Sequence, residues 1–149
     1  MGTALVTGAT SGIGEEFCWQ LAAAGHDLVL VARRDDTLRA LADSLANVAG
    51  VRAEVIAADL STDSGCARVA ARLDVGGPAD REKPDLAPVD LLVNNAGFGL
   101  GTDFLDNSLD NEINGLNVMV RAVMTLAHHA GISMRSRGRG AILNVGSVA

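Results

Sequence analysis

Residues 3–14 read Thr-Ala-Leu-Val-Thr-Gly-Ala-Thr-Ser-Gly-Ile-Gly, and this stretch decides the fold. A short β-branched and apolar run leads into three glycines, and a helical pattern then begins at Glu15. The order is that of a strand that runs through a glycine-rich turn into a helix. The first turn of a helix presents unpaired N–H groups and the positive end of the helix dipole, and glycines allow a ligand to approach closely. The stretch therefore predicts a site for the phosphate of a nucleotide.

Composition narrows the class of protein. The chain has 149 residues, enough for one domain, and a net charge of −6, which argues against a nucleic-acid or anionic-membrane partner. No apolar run approaches the roughly 20 residues that cross a bilayer, and the first residues do not resemble a signal peptide. Cys18 and Cys66 lack metal-ligand spacing, so we expect no metal and two buried thiols in a reducing cytoplasm.

Strand and helix patterns alternate along the whole chain. We expect strands near residues 5–7, 28–32, 51–57, 89–93 and 141–145, and helices near 12–24, 35–49, 62–73 and 111–130. This alternation predicts an α/β fold with parallel strands. With the glycine-rich turn it indicates a doubly wound parallel sheet (a Rossmann fold), for which we expect the strand order 3-2-1-4-5. Such a sheet normally continues with a further helix and strand. We therefore expect residues 1–149 to be the N-terminal, C-terminally incomplete part of a longer dinucleotide-binding domain.

Two arginines follow the second predicted strand. NAD-binding folds usually place an acidic residue there to hold the ribose 2′-hydroxyl, whereas this chain has Arg33 and Arg34. Guanidinium groups attract a 2′-phosphate, so the pair favours NADP over NAD, although the arginines are also compatible with a merely solvated helix start. Asp35 and Asp36 are expected to cap the second helix.

Polar residues also follow the third and fourth predicted strands. Asp59 precedes Leu60 and is suited either to accept a hydrogen bond from the adenine amino group or to begin the next helix. Asn94-Asn95-Ala96-Gly97 follows the fourth strand, where the ligand crevice of such sheets lies, although these residue types also form ordinary turns.

Together these motifs resemble the short-chain dehydrogenase/reductase family. The resemblance rests on the glycine motif, on Asp59-Leu60, on residues 94–97, on Leu116-Asn117-Val118 and on residues 142–147 (Ile-Leu-Asn-Val-Gly-Ser), and it covers the whole chain in order. It implies a cofactor site in which the pyrophosphate and adenosine ribose are surrounded by Gly8, Ser11, Gly12, Ile13 and Gly14. It further implies a 2′-phosphate near Arg33 and Arg34, an adenine edged by Asp59 and Leu60, and an adenosine side bordered by Asn95, Ala96 and Gly97.

The same resemblance implies two catalytic residues. Ser147 matches the serine that orients and polarises the substrate carbonyl, and Asn117 matches the asparagine that positions a water in a proton relay. The family's acid/base pair is a Tyr-x-x-x-Lys motif shortly after the serine. This chain contains no tyrosine, and its single lysine, Lys83, lies in a predicted surface loop.

The resemblance thus implies an NADP-dependent oxidoreductase that acts on a small carbonyl or alcohol substrate and forms a homo-oligomer, a dimer or a tetramer. The 149-residue chain alone is expected to be inactive, because the tyrosine is absent. Two alternatives stay open: a non-catalytic dinucleotide-binding fragment that serves as a sensor or scaffold, and an interaction subunit whose fourth helix pairs with a partner.

Overall fold

The computed structural model describes residues 1–80 and 85–147, which form one parallel sheet with helices on both faces. The strands are β1 (Thr3–Thr7), β2 (Asp27–Ala32), β3 (Ala53–Ala57), β4 (Val89–Asn94) and β5 (Ala141–Asn144). The helices are α1 (Gly12–Ala23), α2 (Asp35–Ala49), α3 (Asp63–Leu73), α4 (Leu109–Leu116) and α5 (Val123–Arg137). The strand order is β3-β2-β1-β4-β5 and all four pairings are parallel, which confirms the predicted topology.

The continuous apolar runs of β1 and β2 are explained by burial on both faces of the sheet. One core contains Leu5, Val29 and Leu126, and the other contains Val6 and Leu30, with α1 and α2 residues among its members. Both cysteines are buried free thiols, and burial raises the pKa of Cys18 to about 12. This thiol therefore stays protonated and acts as a small apolar residue of the core.

The fourth predicted helix differs most from the expectation. Instead of one helix over 111–130, the structure has α4, a π-helical segment (Asn117–Ala122) and α5 in continuous succession. The Ser108 side chain caps the start by accepting a hydrogen bond from Asn111 N–H at 3.2 Å, and Gly138 ends α5 in a left-handed conformation. The helix continues past Gly131 because Ser133 and Met134 are buried and extend its packed face.

The expected capping of α2 by its aspartates is wrong. The N-cap residue is Arg34, and no side chain accepts a hydrogen bond there. Asp35 already belongs to the first turn, where its carboxylate pairs with Arg39 one turn later at 2.6 Å. The two aspartates still place negative charge at the positive end of the helix dipole.

The two edges of the sheet differ in exposure. The residues of β3 are all half-buried, whereas the four residues of β5 are all exposed, with Ile142 at 38% and Leu143 at 39%. The predicted loop position of Lys83 lies outside the described residues. Within residues 1–80 and 85–147, no helix is long and apolar enough to cross a bilayer.

Candidate functional site

The site residues that the sequence predicts follow the carboxyl ends of the strands, apart from Asn117. The glycine motif follows β1, the arginine pair follows β2, Asp59 and Leu60 follow β3, residues 95–97 follow β4 and Ser147 follows β5. Because all strands are parallel, these ends share one edge of the sheet. This is the edge at which open α/β sheets bind their ligands.

The turn between β1 and α1 requires its glycines. Gly8 and Gly12 have φ values of 67° and 53°, in the left-handed region that side chains disfavour. A Cβ at Gly14 would collide with the carbonyl oxygen of Gly8 and with the side-chain amide of Asn95. A Cβ at Gly12 would meet no other atom within 4 Å, so the backbone there faces open space. The turn is packed on its inner side and accessible on its outer side.

The first turn of α1 is not capped. Its N-cap residue, Ser11, makes no side-chain hydrogen bond to the helix, and within the described residues the N–H groups of Gly12, Ile13 and Gly14 donate none. In contrast, Thr62 caps α3 by accepting a hydrogen bond from Gly65 N–H at 3.0 Å. The uncapped donors and the helix dipole make the start of α1 suited to bind an anion.

A hydrogen-bond network joins this turn to the end of β4. The Thr7 hydroxyl accepts hydrogen bonds from the N–H groups of Asn95 and Ala96, both at 3.0 Å. The Asn95 amide in turn donates to the carbonyl oxygens of Thr7 and Gly8 at 3.1 and 3.3 Å. Asn95 and Ala96 therefore hold the glycine turn in place, and Gly97 follows as an exposed residue. Thr7 was not among the predicted site residues. The sequence feature that could have identified it is a polar residue at the end of a buried strand.

A second amide pair lies one strand further along the sheet. Asn94 is 3% exposed, and its side chain donates to the Asn144 side chain at 2.9 Å. This bond ties the end of β4 to the end of β5, where the backbone continues to Ser147. Neither asparagine was predicted as a site residue, although both lie in the motifs that carry the resemblance.

Arg33, the first of the two arginines after β2, lies beside Asp59. Arg33 and Asp59 line one pocket of about 230 Å³, and Arg33 and Arg34 are both exposed. Hydrogen bonds from the Ser61 hydroxyl and N–H lower the pKa of Asp59, and the charge of Arg33 lowers it further. Asp59 is therefore a charged acceptor at the carboxyl edge of the sheet, and Thr62 rather than Asp59 caps α3.

Two predicted residues differ in what they offer a ligand. The Leu60 side chain is 6% exposed and packs in the core, so only its backbone is available at the site. Ile13, at the start of α1, is 62% exposed and adds an apolar surface beside the uncapped N–H groups.

The two predicted catalytic residues, Asn117 and Ser147, lie in different segments of the chain. Asn117 is the first residue of the π-helical segment, is half-buried, and makes no side-chain hydrogen bond within the described residues. Short π-helical segments occur often at functional sites. Ser147 is exposed and follows β5 by three residues. No described hydrogen bond joins Asn117 to the glycine turn.

Comparison with known proteins agrees with this geometry. A "NADP-dependent 3-hydroxy acid dehydrogenase" of Schizosaccharomyces pombe is 33% identical over 149 residues, covering 99% of this chain and 54% of that protein. A "short-chain dehydrogenase from Sphingobium yanoikuyae in complex with NADPH" superposes with a TM-score of 0.89 at 36% identity, covering 99% of this chain and 54% of that one. L-sorbose reductase from Gluconobacter frateurii, complexed with NADPH and L-sorbose, has a TM-score of 0.85 at 33% identity. The match covers 99% of this chain and 52% of the reductase chain.

The chain spans about half the length of the curated relatives that it matches. The family model described as "short chain dehydrogenase" matches residues 2–149. The chain therefore belongs to the short-chain dehydrogenase family.

Proposed function

We propose that this chain is the NADP-binding part of an oxidoreductase that interconverts a carbonyl compound and an alcohol. The observation that carries the proposal is the uncapped start of α1, which shares its sheet edge with Arg33 and Arg34. An anion-binding helix start and two exposed guanidinium groups after the neighbouring strand suit a dinucleotide with an additional phosphate.

The residues of the glycine turn fit the pyrophosphate of such a cofactor. The N–H groups of Gly12 and Ile13 have no protein acceptor within the described residues, and the space beside Gly12 is open. Arg33 and Arg34 form no ion pair with a described carboxylate, so both retain their donors for a 2′-phosphate. When bound, the dinucleotide supplies the hydride.

The substrate side of the proposal involves Ser147 and Asn117. The Ser147 hydroxyl orients and polarises the substrate carbonyl, and Asn117, at the start of the π-helical segment, holds a water for the proton relay. The Schizosaccharomyces pombe relative acts on a 3-hydroxy acid by its name, and the Gluconobacter frateurii structure contains L-sorbose. Since these substrates share only a carbonyl or alcohol group, the proposal is limited to that class.

A fluorescence titration of the protein with NADPH and with NADH tests the cofactor choice. We expect tighter binding of NADPH, and we expect Arg33→Ala to weaken NADPH binding about tenfold because a charge-assisted contact to phosphate is lost. NADH binding should change by less than about twofold, since NADH lacks that phosphate. Arg135→Ala is the matched control, because Arg135 is an exposed arginine near the end of α5 that pairs with no carboxylate in the described part of the chain.

Equal affinities for the two cofactors, or an Arg33→Ala variant that binds NADPH as the wild type does, would contradict the choice of NADP. Absence of binding by both cofactors would contradict the proposed function as a whole.

The 149-residue chain by itself should bind NADPH and yet show no measurable carbonyl reduction. The sequence contains no tyrosine to donate the proton that the alcohol oxygen needs. Absorbance at the NADPH band with a panel of ketones measures the turnover. Turnover that persists through purification and disappears in Ser147→Ala would overturn this proposal.

We also propose that the chain is the N-terminal part of a longer single domain whose further elements cover β5. The support is the exposure of all four residues of β5, including Ile142 and Leu143. Reading the gene beyond the codon for Ala149 tests this directly. A Tyr-x-x-x-Lys motif followed by a further strand supports it, and a stop codon contradicts it and favours a non-catalytic binding fragment.

An apolar stripe supports the proposed homo-oligomer. Along α4, the π-helical segment and α5, exposed apolar side chains recur every three or four residues: Leu109, Ile113, Leu116, Val120 and Met124. Such stripes on monomer surfaces mark protein–protein contacts. Analytical ultracentrifugation should show a dimer or larger species that Met124→Glu dissociates, and a wild-type monomer would overturn the proposal.

A further inference from the structure

A second arginine reaches the pocket that Arg33 and Asp59 line. Arg68 extends from α3, and its Nη1 donates a hydrogen bond of 2.6 Å to the carbonyl oxygen of Ala57, the last residue of β3. The same pocket of about 230 Å³ is therefore lined by one guanidinium from the end of β2 and by another from α3. The pocket lies on the β3 side of the sheet, away from the exposed strand β5.

Close packing of α3 against the Asp59 turn fixes the position of Arg68. A Cβ at Gly65 would collide with the Asp59 carbonyl oxygen, so the start of α3 lies directly on that turn. Arg68 follows Gly65 by three residues and shares its helix face. This packing and the bond to Ala57 keep the Arg68 guanidinium at the end of β3.

The charged side chains that line this pocket are two guanidinium groups and the Asp59 carboxylate, so its net charge is positive. Ion pairs with carboxylates occupy Arg39, Arg52, Arg72, Arg121, Arg137 and Arg139. Within residues 1–80 and 85–147, Arg33 and Arg68 form no such pair, although the whole chain has 18 acidic residues against 12 basic ones. The nearby Asp59 carboxylate is instead bound by Ser61.

We propose that Arg68 and Arg33 bind the adenosine 2′-phosphate from two sides, so that Arg68 is a second residue that selects NADP over NAD. The inference rests on the function proposed above and adds a specificity residue from α3. A guanidinium has five N–H donors, and the contact with Ala57 uses one of them, which leaves the others for phosphate oxygens. Because the protein already holds this side chain in place, little conformational entropy is lost on binding.

Calorimetric titrations with adenosine 2′,5′-bisphosphate and with adenosine 5′-monophosphate isolate the contribution of the 2′-phosphate. The variant is Arg68→Gln, which keeps a polar side chain with N–H donors while the positive charge is lost. We expect it to bind the bisphosphate about tenfold more weakly and to bind the monophosphate within about twofold of wild type. Arg135→Gln is the control and should change neither affinity.

Three results separate this inference from the underlying function. If Arg68→Gln binds the bisphosphate as tightly as the wild type, Arg68 does not have the proposed role. If Arg33→Ala in the same experiment loses affinity for the bisphosphate but not for the monophosphate, the proposed NADP site is still supported. Equal weakening of both nucleotides also overturns the inference, because Arg68 then contacts adenine rather than phosphate. A wild-type protein without preference for the bisphosphate contradicts the proposed NADP site itself.

Thermal unfolding followed by circular dichroism shows whether each variant is folded. If Arg68→Gln fails to fold, Arg68→Lys replaces it, because lysine keeps the charge. We expect this variant to bind the bisphosphate within about threefold of wild type at low salt and to lose that affinity as salt screens the charge. Salt-independent affinity of Arg68→Lys for the bisphosphate would overturn the inference.

Discussion

Two serines precede helices in this fold, and only one of them caps its helix. The Ser108 hydroxyl accepts a hydrogen bond from Asn111 N–H at 3.2 Å, whereas Ser11 makes no side-chain bond to the start of α1. Their φ values are −72° and −161°, so the same residue type is held in different backbone conformations. Residue type alone therefore does not decide whether a helix start is capped.

The backbone at Ser11 is set by its neighbours on both sides. Gly8 and Gly12 adopt positive φ values, and Thr7 and Asn95 anchor the turn from below. These contacts hold the start of α1 in place, and its first N–H groups have no protein acceptor within the described residues. At the start of α4, by contrast, Ser108 accepts the hydrogen bond of Asn111 N–H, so this donor is already used within the protein.

The largest effect is expected for Gly14→Ala. The added Cβ collides with the backbone carbonyl of Gly8, and because backbone moves less easily than a side chain, the turn must shift. We expect a loss of about 3 kcal/mol or more in the free energy of unfolding, together with loss of NADPH binding. Urea denaturation and fluorescence titration measure the two effects.

Gly131→Ala is the matched control for that substitution. Gly131 also lies within a helix, but a Cβ there meets no other atom within 4 Å. Alanine has the higher helix propensity, so this variant should be more stable by up to about 1 kcal/mol and should bind NADPH normally. Similar behaviour of the two variants would contradict the packing argument at Gly14.

A smaller loss of unfolding free energy is expected for Thr7→Val, which removes the hydroxyl that joins the glycine turn to the end of β4. The Thr7 hydroxyl accepts hydrogen bonds from the N–H groups of Asn95 and Ala96, and valine would leave both donors unsatisfied. The expected cost is about 2 kcal/mol of unfolding free energy. Thr3→Val is the control in the same strand, because Thr3 is buried without a side-chain hydrogen bond within the described residues, and it should be near neutral. Equal costs for the two valines would show that the network does not hold the turn.

The smallest effect tests the two serines directly. Ser108→Ala removes a helix cap and should lower the free energy of unfolding by about 1 kcal/mol. Ser11→Ala removes no such bond and should cost less than about half of that. Chemical denaturation measures the free energy of unfolding of both variants. A larger loss in Ser11→Ala than in Ser108→Ala would contradict the difference in capping.

Local patterns were sufficient to predict much of the fold and part of the site. The spacing of Gly8, Gly12 and Gly14 predicted the turn, and the alternation of strands and helices predicted a parallel sheet. The strand order expected of a Rossmann fold is the one that the structure has. Each of these patterns is read from short stretches of sequence, and the packing of the sheet favours the same structure as the local patterns do.

The remainder depends on contacts between distant residues. The Thr7 hydroxyl contacts Asn95 and Ala96, which follow it by 88 and 89 positions in the chain, and no local sequence pattern predicts that contact. The extension of α5 beyond residue 130 depends on the burial of Ser133 and Met134, and Asp35 fails as a cap because Arg34 takes the N-cap position. The cytoplasmic location, the oligomeric state and the roles of the individual site residues stay predictions.

Amide chemical shifts of the isotope-labelled protein during titration with NADP⁺ test the central claim most directly. If the uncapped start of α1 binds the dinucleotide phosphates, the Gly12 and Ile13 resonances shift and saturate, while that of Asn111, beneath the Ser108 cap, stays in place. Saturable binding of NADP⁺ that leaves Gly12 and Ile13 unmoved would contradict the account.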